Sequence, residues 1–404
     1  MLPRRGVPAT PRAWPVALLL VACGPWAAVP LEPIDVGSTG AVSSSGAATT
    51  GGTATCTDLG ACFGDEVELA VGLAPADLRW GEVVGDGIAD VVVRGQLAGA
   101  PTRVLVGASS DGLSVGTPLA DGGLGAVLVD VGGDGRDDLV ASEGTALAVY
   151  DGASGLSVRV ALWEIGRGFA TLRVLEPAAD GAIRIAAEDR EIGALATIEL
   201  GDAGPVVTAI PYGSDPTRSY SSNGLDVGDL DGDGAKDVVV IVDTYGDGGH
   251  LAEVRVWPPG GSSYAATWFS GEGHKHAIAD VDGDGADDVL VLEYFGRLHR
   301  FASTGPAMLA DVDGWTAASA NAMAVGDVDG DGIADVVLAR HPNDDDPRLD
   351  VITGWDEGDP LPYSLAVDHE FDVVGVADVD GDGRGDIVGG SGERGSISVL
   401  YARW

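Results

Sequence analysis

Asp229-Leu230-Asp231-Gly232-Asp233-Gly234-Ala235-Lys236-Asp237 is the stretch on which the reading of this chain turns. Its frame, Asp-x-Asp-Gly-Asp-Gly-x-x-Asp, recurs intact from Asp280, Asp327 and Asp378. Two copies are incomplete. Asp130, Gly132, Asp134 and Asp138 keep all but one acid, whereas Glu82, Val84, Asp86 and Asp90 exchange one acid and lose another. A further copy, at Glu176, Ala178, Asp180 and Arg184, is almost erased. From first position to first position the copies lie 46 to 53 residues apart. An apolar run precedes each loop, as in Ala322 to Val325 or Val373 to Val376, and a β-branched run follows it, as in Val238 to Ile241 or Val336 to Leu338. Two more strand-like stretches then complete the unit, for example Ala146 to Tyr150 and Leu156 to Trp163. Units of four short strands without helices predict an all-β fold, a seven-bladed β-propeller of four-stranded blades. A β-helix has coils much shorter than this period. The chain ends agree: the last unit stops after a third strand, Ser396 to Tyr401, and Val67 to Val71 offers the missing fourth.

The loop frame suits a hard cation. Acids at positions 1, 3, 5 and 9 converge when the chain curls, and glycines at positions 4 and 6 permit the backbone angles this requires. Calcium takes about six to eight oxygen ligands, so a carbonyl near position 7 and water would complete the shell. Without an ion, each pair of carboxylates 4 Å apart repels by roughly 4 kcal/mol at an effective dielectric near 20. The candidate calcium ligands are Asp229, Asp231, Asp233 and Asp237; Asp280, Asp282, Asp284 and Asp288; Asp327, Asp329, Asp331 and Asp335; Asp378, Asp380, Asp382 and Asp386; and, in the incomplete loop, Asp130, Asp134 and Asp138. On this reading, loss of Asp282 with Asp284 removes one ion. Solvated Asp-Gly turns are the alternative. An EF-hand is excluded, because its twelfth position must be a glutamate ahead of a helix. Here that position holds Val240, Val291, Leu338 or Gly389.

From about residue 62 to 404 the sequence resembles the FG-GAP and VCBS repeats, the family that includes the calcium-binding propeller of integrin α chains. The resemblance implies that each loop joins the first and second strands of a blade and that its acids coordinate calcium. The Phe-Gly and Gly-Ala-Pro elements are largely missing, with traces at Gly107-Ala108-Ser109 and Gly152-Ala153-Ser154. Arg384-Gly385-Asp386 spells an adhesion tripeptide, but Asp386 is the ninth position of a loop and its carboxylate is expected to be engaged already.

The 404 residues carry 63 acidic against 23 basic side chains, a formal charge of −40. Nucleic acid is thereby excluded as a partner, since the basic footprint is missing, and so is adsorption to anionic lipid through a basic face. The N-terminus reads as an export signal, with Arg4, Arg5 and Arg12 ahead of an apolar core from Val16 to Ala22 too short to span a bilayer. Leu20-Val21-Ala22-Cys23 resembles a lipobox, which makes Cys23 the lipidation site and a lipid anchor the only membrane attachment. Gly24 resembles the pattern passed on to an outer membrane. Cys56 and Cys62 remain as an even pair, read by default as a disulfide in an oxidising compartment. The domains are thus a signal peptide over 1–22, a Gly/Ser/Thr-rich tether over 23–61 and the propeller over 62–404.

No His-Glu-x-x-His, Gly-x-Ser-x-Gly or Walker-type loop occurs. His274 and His276 read as an exposed loop pair, the alternative being a shared strand face with a metal between strands. The expected function is therefore a calcium-binding surface module for an extracellular glycan or protein ligand. The alternative is a propeller lyase or hydrolase acting on an extracellular polymer. Tyr212, Tyr220, Tyr245, Trp268, Phe269, Trp315 and the acidic run Asp344 to Asp346 are expected in or near turns on the face opposite the Asp loops, where aromatics would grip a ligand; the alternative is that several of them are blade-packing residues near strand ends.

Overall fold

The computed structural model describes residues 62–403, apart from 96–101, 108–111, 120–124, 176–181, 190–193, 202, 212–218, 247–248, 262, 270–272, 294–295, 306–307, 317–319, 341–346, 354 and 356–360. The readings at Cys23 and Cys56, the tether, Glu176 to Asp180, Tyr212 and Asp344 to Asp346 lie outside the described residues.

After β1 (Val67–Ala70), the chain forms six consecutive four-stranded antiparallel sheets. These are β2 (Pro75–Gly81), β3 (Asp90–Gly95), β4 (Thr102–Val106) and β5 (Ser114–Leu119); β6 (Ala126–Val129), β7 (Asp138–Glu143), β8 (Ala146–Tyr150) and β9 (Arg159–Glu164); and β10 (Thr171–Val174), β11 (Ile183–Asp189), β12 (Ala194–Gly201) and β13 (Gly204–Pro211). The next three are β14 (Ser219–Gly228), β15 (Asp237–Gly246), β16 (Gly249–Trp257) and β17 (Ala265–Phe269); β18 (Gly273–Ala279), β19 (Asp288–Glu293), β20 (Arg297–Gly305) and β21 (Met308–Thr316); and β22 (Ala320–Gly326), β23 (Asp335–Arg340), β24 (Arg348–Thr353) and β25 (Leu361–Ala366). A further sheet holds β26 (Val373–Ala377), β27 (Asp386–Ser391) and β28 (Ser396–Leu400), and its fourth strand is β1, paired through Val67 with Val399 and Ala70 with Ser396. The expected completion of the last unit by the N-terminal strand is therefore observed. Among the described residues these make seven four-stranded sheets.

First strands β2, β6, β10, β14, β18, β22 and β26 each touch the first strands of both neighbouring sheets, and β26 returns to β2. They line the axis of a β-propeller. The core lies between sheets rather than within one. Val337 and Val351 pack on Phe371, Val374 and Ile387 of the following sheet, and Val239 and Val254 pack on Val289 and Phe301. Such strands bury both faces, which is why β7, β8, β19 and β27 read as nearly continuous apolar runs rather than alternating ones. Gly389 interrupts one of those runs for a packing reason. A Cβ there would stand 2.5 Å from the Phe371 ring, so the ring fills the place that valine or leucine takes in other units.

Outer strands carry the exposed apolar side chains Leu162, Val206, Trp268 and Met308. Of the two readings of the aromatics, blade packing near strand ends holds for Phe269 and Trp315. Trp268 and Phe269 lie in β17 and Trp315 in β21, fourth strands at the rim, not turns at a channel mouth. Trp268 is exposed, Phe269 is buried, and Trp315 packs on an inter-sheet core. Tyr220 and Tyr245 belong to the paired strands β14 and β15 rather than to turns. The 2.0-residue period of a strand hides this distinction, because a residue near a strand end and one in a turn have similar sequence neighbours.

Candidate metal centres and the channel pocket

Every described Asp loop joins a first strand to a second, as the resemblance implied. The loop curls because the fourth and sixth residues take left-handed backbone: φ is 70° and 87° at Gly232 and Gly234, and 79° and 91° at Gly330 and Gly332. An L-residue with a side chain adopts this only at a cost. The first acid then ties the curl. Asp327 accepts the amides of Gly330 at 2.6 Å and Gly332 at 2.9 Å, and Asp378 accepts those of Gly381 at 2.7 Å and Gly383 at 2.8 Å.

Carboxylates converge in all four complete loops. One oxygen from each of Asp327, Asp329 and Asp335 lies within 4.8 Å of the others, and the same holds for Asp378, Asp380 and Asp386 and for Asp280, Asp282 and Asp288. In the first loop the group is Asp229, Asp231 and Asp233, and Asp237 sits below it with a buried Oδ2 that has no hydrogen-bond partner. The convergence is narrower than the sequence frame implied. Asp284, Asp331 and Asp382 stay outside these groups and accept the amide two residues on, at 2.9, 2.8 and 3.0 Å. In these three loops the side chain at position 5 satisfies the turn locally instead of reaching the centre. Among the described residues the incomplete loop of Asp130, Asp134 and Asp138 forms no such group, since Gly132 supplies no oxygen at position 3.

The ninth acid is the buried member. Burial raises Asp237 to about 6, Asp288 and Asp386 to about 7 and Asp335 to about 8. Asp386 accepts the amides of Val379 at 3.0 Å and Ala402 at 2.8 Å, so the Arg-Gly-Asp tripeptide has no free carboxylate to offer. All-oxygen, acid-rich donor sets of this kind fit calcium, and Asp229, Asp231 and Asp233 and the 327 and 378 groups are the residues that would hold it. One loop does not fit. The guanidinium of Arg300, on β20, donates from Nη2 to Asp282 and from Nε to Asp288 at 3.1 Å. Sequence reasoning missed Arg300, although an arginine in an otherwise β-branched strand position was a visible signal.

A second polar feature lies in the channel wall. A cavity of about 300 Å³ is bordered by Asp77 and Arg79 of β2, Arg94 of β3, Arg173 of β10, and Lys275 and His276 of β18. In a chain with so few basic residues, their convergence is a local reversal of sign. Asp77 engages Arg79 at 2.9 Å and Arg94 at 3.4 Å, and Arg173 donates to Asp226 at 2.8 Å. Burial and the nearby Arg173 push Arg79 down to about 10. Burial alone would raise Asp226, but Arg173 and His276 hold it below the usual carboxylate range. His276 is lowered, chiefly by burial, and its Nε2 has no hydrogen-bond partner. The two histidines are therefore residues of β18, not an exposed loop pair. The imidazole of His276 fits against β14 because residue 224 is glycine: a Cβ there would lie 2.6 Å from its Cε1. Near the N-terminus of the described chain, Cys62 is buried and disulfide-bonded.

Comparison with known proteins agrees with this geometry. Residues 280–338, which span two Asp loops, match the FG-GAP-like repeat. No curated protein matches the chain. Among solved structures, the chain resembles BBS1N in its complex with ARL6DN soaked with mercury, at a TM-score of 0.59 and 11% identity over 86% of this chain and 98% of that one. It also resembles a chain of the Mitotic Checkpoint Complex, at a TM-score of 0.57 and 12% identity over 86% and 98%. Those likenesses concern the fold alone.

Proposed function

With an FG-GAP-like repeat set in a β-propeller of four-stranded blades, we propose that the chain is a seven-bladed, calcium-stabilised binding module held at the cell envelope by lipid on Cys23. The observation that carries the calcium reading is the convergence of three carboxylates in each complete loop. The binding reading rests on the channel pocket. Arg79 and Arg173 sit in a partly dry site within a strongly acidic protein, so the group they favour is an anion. A carboxylate on an acidic extracellular glycan or protein has that chemistry and pairs well with guanidinium.

Polygalacturonate and uncharged dextran are the probes. The purified chain is expected to retain the first and not the second, and Arg79→Ala with Arg173→Ala to weaken retention at least tenfold in isothermal titration. Equal binding of both polymers, or no effect of the double substitution, would overturn the channel assignment. Release of reducing ends from polygalacturonate would make the protein an enzyme rather than a binding module.

Anchoring has its own test. Cys23→Ser is expected to abolish fatty-acid labelling and move the protein from the membrane to the soluble fraction, because diacyl and amide-linked chains supply the anchoring signals together. Persistent labelling would show that Cys23 is not the lipidated residue.

A further inference from the structure

We propose that the loop of Asp280, Asp282 and Asp288 takes its counter-charge from Arg300 and stays free of calcium, while the other three complete loops are loaded. This rests on the calcium reading above.

Arg300 is exceptional by register. On the third strand of each sheet, the residue paired with the tenth residue after the loop's first acid is Val104, Val149, Thr197, Val256, Val351 or Val399. In the sheet of β18 to β21 it is Arg300, opposite Leu290. Val149, Val256, Val351 and Val399 are at most 1% exposed, so the position belongs to the inter-sheet core. A buried arginine there must find acceptors, and it finds the loop. Its donors engage Asp282 and Asp288, two of the three carboxylates that converge in this loop, and its Cζ stands 5.9 Å over the buried ring of Trp355.

A calcium ion would have to take those same oxygens. Arg300 cannot lose its charge, and displacing it from Asp282 and Asp288 would break two charge-assisted contacts of a buried guanidinium, which is strongly unfavourable. The other three loops have valine at the paired position. Arg300 thus sets which loop depends on the metal, and one blade keeps its turn closed when calcium falls.

Calcium alone is the probe, counted per full chain by equilibrium dialysis. Asp329→Asn and Asp380→Asn are each expected to lose one ion, Asp282→Asn to lose none, and Arg300→Val to gain one. Valine is what other blades carry, so this variant is built to fold; should it not, Asp282→Asn still decides. Loss of an ion in Asp282→Asn, or no gain in a folded Arg300→Val, would overturn the proposal. A wild-type chain that binds no calcium would overturn the calcium reading and this proposal with it. Unchanged counts in Asp329→Asn and Asp380→Asn, with calcium still bound, would overturn the contrast between loops.

Discussion

Chelating calcium is expected to lower the melting temperature on the order of 10 °C at pH 8 and by much less at pH 5.5. Each loaded loop contributes about 2.7 kcal/mol when calcium stands at a hundredfold its dissociation constant, and several loops act together. The pH dependence follows from the ninth acids. Asp237, Asp386 and Asp335 have folded-state values of about 6, 7 and 8, above the ordinary carboxylate value of about 3.9 in an unfolded chain. A carboxyl raised by folding contributes stability that is fully present below its unfolded value and is lost as pH rises through the folded value. The calcium-free protein should therefore weaken progressively up to about pH 8, as the proton leaves carboxyls that burial keeps neutral. Calcium replaces the proton, so the loaded protein should lose little over the same range. Melting curves with calcium and with chelator at several pH values check this. A calcium-free melting temperature that rises with pH, or chelation without effect, would refute it.

Asp90→Ala is expected to cost about 3–5 kcal/mol in calcium and in chelator alike, counting about 1–3 kcal/mol for each buried amide left unpaired and some relaxation. Asp90 is fully buried and accepts the amides of Val83 and Val84 at 2.8 Å and of Gly107 at 2.9 Å. Its loop has lost the third-position acid and, among the described residues, gathers no group of three converging carboxylates. Asp138 repeats the arrangement with Val131, Gly132 and Gly152 at 3.1, 3.2 and 2.7 Å. The ninth acid is thus first a structural acceptor that fastens the turn to the second and third strands. Asp380→Ala, by contrast, should be costly only when calcium is present. Urea titrations of both variants, with and without calcium, separate the two roles. An Asp90→Ala loss below about 1 kcal/mol, or one that disappears in chelator, would show that the ninth acid acts only through the metal.

Asp90 also shows how the sequence is read most reliably. A position that survives where its neighbours have decayed, as in Glu82-Val83-Val84-Gly85-Asp86, marks a backbone requirement rather than a ligand. The four-strand unit, the place of each loop between first and second strands and the donation of Val67–Ala70 to the last sheet were legible because they depend on local pattern and chain order. Glycine at positions 4 and 6 announced the left-handed turns directly.

What chain order could not supply was the neighbour across a sheet or channel. That Arg300 meets Asp282 and that Trp315 packs inside an inter-sheet core are decided by side-chain reach between strands. The same holds for the channel, where Arg79, Arg94, Arg173 and Lys275 come from different repeats and carry no common motif. Sequence alone determined the repeating sheet and its acidic turns, because those obey local backbone geometry. Tertiary structure alone decided which carboxylates remain for an ion and where positive charge gathers, because those depend on distances set only when the blades pack around one axis.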